Sequence, residues 1–455
     1  MFKTFINAWK VKDIRSKMLF TLLLIVVYRF GSFIPIPGVN AAALAANIQN
    51  YDLLGFLNLF SGGSLSQFSL FAMGISPYIT GSIIVQLLTI AFPSLEKLSK
   101  EEDGRQKIEK ITRYVGVGLA AIQSISIIVM LQNVSSTEIL NTLNLFKSAA
   151  ANKAITYVTI AVCATAGTAF LMWMGERITE KGVGNGISML IFASIVASIP
   201  DVFVRIFRYW EILPWHTVYV SNNGGVGVLK WWAPLVALVV TLVLVAGVVL
   251  VDRAVRRIPV QYAKRVVGRK LYGGQSTHIP MKANANGVMP LIFAMTILQV
   301  PAMIAQFWGN QESGFPKFVS TYLSSSTTNP AGVAIYYVLY GLLIIAFAYF
   351  YSSISFNAVD ISKNLQQNGG FVPGIRPGKP TSDYLQKKSS RLTMFGAIFL
   401  CLIAIIPSII LKVLGIDLLS HFGATSILIM VSVALETAEQ LDSLLLMRHY
   451  KGFLG

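Results

Sequence analysis

Charge is what this chain has least of. Asp, Glu, Lys and Arg make up 13% of its 455 residues, where a soluble domain carries about 25%. So little charge cannot cover a water-facing surface. With 54% hydrophobic residues and a mean hydropathy of +0.64, the main solvent must be lipid. Cysteine is nearly absent: Cys163 and Cys401 both lie inside apolar runs, so they read as small packing residues and no disulfide framework is implied. The histidines, His216, His278, His421 and His449, have no metal-ligand spacing, so neither a metal nor a cofactor is expected. Enzyme signatures are missing too: there is no HExxH, GxSxG or Walker A sequence. In Gly374-Ile-Arg-Pro-Gly378-Lys379-Pro380 the glycines stand too close for a phosphate loop, and proline replaces the needed Ser or Thr. Gly182, Gly184 and Gly186 follow no strand, so they carry no dinucleotide site.

Long apolar runs are what the chain does have. Ten can cross roughly 30 Å of hydrocarbon at ~1.5 Å per residue. They are about Met18–Ile34, Phe68–Phe92, Tyr114–Leu131, Ile155–Gly175, Ile187–Val204, Trp231–Val251, Val288–Phe307, Ala331–Phe356, Leu392–Leu411 and Phe422–Met447. In lipid each must be a helix, because every backbone N–H and C=O needs a partner within the segment. The first run is too long for a signal-peptide core and contains Arg29, so it reads as the first span rather than a cleaved leader.

Basic residues orient the spans. The N-terminus, the even-numbered loops and the C-terminus hold 29 Lys and Arg; the odd-numbered loops hold 7. Both termini are therefore expected to be cytoplasmic, which agrees with an even number of spans. Five spans precede the aromatic- and glycine-rich loop Pro200–Lys230 and five follow it, so the halves have opposite topologies, as in inverted repeats. The expected fold is an all-α membrane protein of ten transmembrane helices in two inverted five-helix halves. The boundaries are 1–17 for the N-terminus, 18–204 for the first half, 205–230 for an external connection, 231–447 for the second half and 448–455 for the tail. Two long basic segments, Asp252–Lys282 and Asn357–Arg391, lie on the cytoplasmic side with eight and six Lys or Arg. Together they read as a docking platform for a macromolecule.

Three further features could carry function. Asp52–Phe60 is apolar but too short to cross, and Ser61-Gly62-Gly63-Ser64 follows it. It reads either as a re-entrant element, tolerated only where buried or lining a cavity, or as an interfacial helix on the outer surface. The second span is loosened by Gly74, Pro77 and Gly81 and carries Thr80, Ser82 and Gln86. Ile75 and Ile79 share one helix face there, as Ile187 and Ile191 do in the fifth span. The last span carries Glu436, Glu439 and Asp442 near its cytoplasmic end. They form either a proton relay or a helix end that protrudes into an aqueous vestibule.

Six strings in this order resemble the SecY family, whose members are central subunits of protein-conducting channels. They are PIPG at Pro35–Gly38, LFSGGSLSQFSLFAMGISPYITGSIIVQLL from Leu59, MWMGERITEKGVGNGIS from Met172, RRIPVQYAKR from Arg256, NANGVMPLIF from Asn284 and FVPGIRPG from Phe371. The resemblance covers about Trp9 to Met447. It implies a clamshell of two halves around an hourglass pore in the bacterial cytoplasmic membrane. It implies a plug near Phe56–Gln67, with Phe56, Leu57, Asn58, Leu59, Phe60, Ser61, Gly62, Gly63, Ser64 and Leu65 at its centre. It places the pore ring at Ile75, Ile79, Ile187, Ile191, Ile292 and Ile429. It places a lateral gate between the second and seventh spans, with Thr80, Gln86 and Val300 on its lining. It assigns docking of the SecA motor and the ribosome to Arg256, Arg257, Lys264, Arg265 and Arg376. It also implies SecE-like and SecG-like small membrane subunits, secretory and membrane-protein substrates with signal sequences, and a bilayer that receives apolar segments. The three acids of the last span match no motif of the family.

A secondary transporter would share inverted halves and broken helices, but should pair polar residues at the membrane midplane. Apart from Arg29 the spans carry no charge at that depth. A membrane-bound enzyme would need a catalytic constellation.

Overall fold

A computed structural model of the full chain describes residues 2–40, 61–101, 103–134, 149–211, 218–220, 226–228, 233–262, 265–267, 270–272, 276–285, 287–306, 314–324, 329–413 and 424–451. Every one of the ten apolar runs holds a helix. In order these are α2 (Lys12–Gly31), α3 (Ser76–Ala91), α5 (Gly104–Val134), α6 (Ala149–Lys181), α7 (Gly186–Glu211), α8 (Ala233–Asp252), α9 (Met289–Gln306), α11 (Pro330–Ser355), α13 (Lys379–Val413) and α14 (Ala424–Lys451). Shorter helices join them: α1 (Phe2–Lys10), α4 (Pro93–Lys100), α10 (Gly314–Tyr322) and α12 (Ala358–Gln367). Length and hydropathy alone single out Gln106–Val129, Ala150–Lys181, Pro330–Gln367 and Lys379–Ile410 as spans among the described residues, while Gly186–Pro200, Leu238–Asp252 and Met289–Ala305 are apolar but shorter. The outer faces are apolar: Leu23, Val26 and Phe30 on α2, Val243 on α8 and Val338 on α11 are more than half exposed. Hydroxyl groups are inside, with Ser61, Ser69, Ser194 and Ser426 buried. That inversion of the soluble pattern is what lipid selects.

Packing reveals a repeat that sequence identity does not. In the first half α2 packs on α6 and α7, and α3, α5, α6 and α7 pack in succession. In the second half α8 packs on α13 and α14, and α9, α11, α13 and α14 pack in succession. The two halves therefore share one packing plan, and an odd number of spans per half inverts one against the other. They meet where α3 and α5 pack on α9, and again where α7 packs on α14.

Two expectations about the basic segments are corrected. Asp252–Lys282 is not a bare loop but contains a hairpin of β3 (Val255–Tyr262) and β6 (Ser276–Lys282), a small sheet on an otherwise helical membrane fold. Asn357–Arg391 is not a loop either: it contains α12, β7 (Gly370–Phe371) and the first turns of α13. β7 pairs with β3, Gln261 opposite Phe371 and Tyr262 opposite Gly370. The two basic segments are thereby one body, sealed by Ile258, Val260, Met281, Leu365, Val372 and Leu385. Strict alternation drives this: Ile258 and Val260 point in, while Arg257, Pro259 and Gln261 point out. Pro259 is tolerated because β7 pairs with β3 only beyond it, leaving that side of the strand without a ladder. Two further hairpins join β1 (Val218–Val220) to β2 (Val226–Val228) in the external connection and β4 (Arg265–Val267) to β5 (Lys270–Tyr272).

The second span is also shorter than its apolar run. Residues 68–75 form turns, with Phe68 at φ 43° and Gly74 at φ 59°, and the helix starts at Ser76. Pro77 sits in the first turn, where its missing N–H costs nothing. The helix then ends at Phe92, and α4 leaves at 105°.

The glycines of the Met172–Ser188 string serve close packing. A Cβ on Gly186 would lie 1.8 Å from the Gly175 carbonyl oxygen. Asn185 Oδ1 accepts from the N–H groups of Ile187 and Ser188 at 3.1 and 3.4 Å, capping α7. Gly186→Val should therefore destabilise the protein by about 1–3 kcal/mol, read as a lower unfolding midpoint in detergent. A wild-type midpoint would contradict the close approach.

Candidate functional site

The six isoleucines implied as a ring all belong to one large apolar cluster that spans both halves. Ile75 stands at the N-cap of α3 and Ile79 one turn on; Ile187 and Ile191 stand on α7, Ile292 on α9 and Ile429 on α14. Ile75, Ile79, Ile191, Ile292 and Ile429 are buried in one apolar cluster, and the half-buried Ile187 packs against it. The cluster draws on both halves of the molecule. β-Branching leaves each side chain few χ1 choices, and none offers water a hydrogen bond.

The polypeptide entering this ring is held by polar ties that the sequence did not reveal. Phe56–Phe60 lie outside the described residues. Ser61–Leu65 do not form an exposed flap: Ser61 and Leu65 are fully buried and Ser64 nearly so. The Tyr28 hydroxyl donates to the Ser61 carbonyl at 3.0 Å and lies 2.6 Å from Ser194 Oγ on α7. Arg29 Nη1 donates to the Gly62 carbonyl at 3.0 Å, and its guanidinium lies over the Phe33 ring at 5.4 Å. This accounts for the one charge in the first span. Gly62 has φ 63°, and a Cβ there would meet Ser194 Cα at 2.9 Å, so this turn is pressed onto α7. Asp52–Phe60, for which a re-entrant element and an outer interfacial helix are the two readings, lies outside the described residues; the Ser61–Leu65 turn that follows it is packed inside the protein.

At the gate implied between the second and seventh spans, α3 does pack on α9. Thr80 is buried, and its hydroxyl donates to the Ser76 carbonyl of its own helix at 3.0 Å. Gln86 Nε2 donates to Ser82 Oγ at 3.3 Å, and Val300 is half-buried on α9. Gln123 of α5 reaches Met303 of α9, Nε2 to Sδ 3.5 Å, a cross-half contact missed in sequence.

The docking candidates divide. Arg256 and Arg257 are exposed on β3. Arg376 is exposed in a turn between Gly374 at φ 81° and Gly378 at φ 95°, and its carbonyl accepts from the Thr381 hydroxyl at 2.8 Å. Lys264 lies outside the described residues, and Arg265 is placed only as part of β4. Of the three acids, Glu439 pairs with Lys282 at the root of α9, both about half exposed. Glu436 and Asp442 are exposed as well, which fits a protruding helix end rather than a buried relay. Asp252 ties α8 to its neighbours: it accepts from Asn284 Nδ2 at 2.9 Å and from the Ser432 hydroxyl at 2.6 Å. Among the described residues no group of three His, Cys, Asp or Glu side chains could hold a metal.

The SecY family profile matches residues 69–438. The chain is 44% identical to the protein translocase subunit SecY of Streptomyces galbus over 460 residues, covering 100% of both chains. It is 43% identical to that of Bacillus subtilis (strain 168) over 456 residues, again covering 100% of both. Its fold is similar to a solved structure of a protein-conducting channel, with TM-score 0.64 and 18% identity over 94% of this chain and 92% of that one. It is likewise similar to Sec61 in the canine ribosome–channel complex, with TM-score 0.59 and 17% identity over 94% and 92%.

Proposed function

Because this chain belongs to the SecY family, we propose that it is the membrane channel through which a protein translocase passes unfolded polypeptides. Its two halves, 18–204 and 231–447, enclose the pore. Segments rich in apolar residues leave sideways between α3 and α9, where each Leu or Ile gains ~0.3–0.6 kcal/mol in lipid and a charge costs ~3 kcal/mol. At rest the ring Ile75, Ile79, Ile187, Ile191, Ile292 and Ile429 excludes water, and the segment Phe56–Leu65 acts as plug. What supports this most is that those six side chains, carried by elements of both halves, belong to one apolar cluster. A dewetted constriction blocks ions yet makes no specific bond to a passing chain, so it is indifferent to sequence.

The site is set in the bacterial cytoplasmic membrane with both termini inside. The body formed by β3, β6, β7 and the turn around Arg376 then faces the cytoplasm. Its exposed arginines suit carboxylate or phosphate. It is the docking face for a SecA motor and for the ribosome, and SecE-like and SecG-like subunits complete the assembly. Lacking a nucleotide site of its own in this reading, the channel takes its energy from the partner.

Two outcomes are expected. Replacing Ile429 with Asn puts a hydrogen-bonding group into the constriction. The protein should accumulate normally, leak ions at rest and export substrates with defective signal sequences. If Ile429 were an ordinary packing residue, the same change would cost several kcal/mol and lower export of every substrate. Arg376→Glu should leave the protein inserted and stable but block SecA-driven translocation into reconstituted vesicles; an unchanged rate would remove Arg376 from the docking face.

A further inference from the structure

The turns that lead into α3 are not joined to α7 by apolar contact alone. Tyr28 of α2 is 1% exposed and bonds to both. Its hydroxyl has one proton, which goes to the Ser61 carbonyl at 3.0 Å; the 2.6 Å contact with Ser194 Oγ then has serine as donor. Ser194 also lies 2.9 Å from the Leu190 carbonyl of its own helix, so its proton has a resting place when the contact with Tyr28 is lost. Ser194 is three residues beyond Ile191 of the ring. On the other side, Ser61 begins the run of turns that ends at Ile75 of the ring, and those turns are internally fixed by Ser61 Oγ accepting from Leu65 N–H at 3.1 Å and Ser64 carbonyl accepting from Ser69 N–H at 2.9 Å. The Tyr28 ring stacks on Phe71 in the same run, centroids 5.8 Å apart.

We propose that the Tyr28 hydroxyl is a latch: by bridging Ser61 and Ser194 it holds the Ser61–Ile75 run against α7 and thereby keeps the isoleucine ring shut. Tyr28 is a positioning residue here, since it acts through Ile75 and Ile191. The proposal rests on the ring being the seal. Any movement of α7 away from the Ser61–Gly62 turn must break the Tyr28–Ser194 bond, so opening of the ring and release of that turn are one event.

Tyr28→Phe removes the hydroxyl and keeps the ring that stacks on Phe71. Resting ion conductance of the purified channel in planar bilayers should rise about five-fold, the factor expected for one buried hydrogen bond. Ser194→Ala should do the same. The double variant should leak no more than either single one, because both remove one bond. Ile429→Asn, measured alongside, reports on the ring itself. If Ile429→Asn leaks and Tyr28→Phe conducts like wild type, the latch alone is overturned. The latch is equally overturned if Tyr28→Phe only lowers the unfolding midpoint, or if the double variant multiplies the single effects. If neither Ile429→Asn nor Tyr28→Phe leaks, the ring is not the seal and the latch falls with it.

Discussion

An isoleucine side chain gives water nothing to bond to, and the six proposed for the ring share one apolar cluster drawn from both halves. On that proposal the ring closes only if α3, α7, α9 and α14 bring them together. Each is set by its own local device: Pro77 in the first turn of α3, the Asn185 cap and the Gly186–Gly175 approach for α7, and the Asp252 carboxylate joining Asn284 before α9 to Ser432 on α14. A seal made of apolar contact is also easily reversed, since opening breaks no bond within the ring itself. The bonds that must break lie beside it, where hydroxyl groups and a single arginine hold the turn at Ser61–Gly62.

Within each half, helices pack in an unbroken series. Between halves the contacts are few and lie at α3 and α5 on α9, and α7 on α14. The residues proposed for the ring stand on the helices that meet at these seams. On the proposed function, polypeptide moving along the pore and an apolar segment leaving between α3 and α9 load the same seams. On the cytoplasmic side, β3 carries on from α8, β6 leads into α9, and β7 leads into α13. If the sheet is the docking face proposed above, a force on it reaches three helices of the second half.

Much of this was legible in the chain. Ten apolar runs became ten helices because lipid permits no other backbone solution for them. The ring positions are proposed from a family resemblance whose motifs are dense around Ile75, Ile187 and Ile292. The sheet was missed although the strand alternates from Arg257 to Gln261, since its proline and its flanking charges read as loop until β7 supplies the missing neighbour. The start of α13 was missed because its first turns are polar and extend beyond the membrane. Tyr28 and Ser194 were invisible for a different reason: they are 166 residues apart, and neither belongs to a motif. Arg29 was noticed as a charge out of place, and the structure gives it partners in the Gly62 carbonyl and the Phe33 ring.

The central claim is that these six isoleucines form one water-excluding ring that a translocating chain must touch. Each can be replaced singly by cysteine, in a background where Cys163 and Cys401 are alanine, and tested in vesicles with a charged thiol reagent and with a substrate arrested in transit. The account predicts no labelling from either side at rest and disulfide cross-linking to the arrested substrate from all six positions. Labelling of several positions at rest, or an arrested chain that cross-links to none of them, would contradict it.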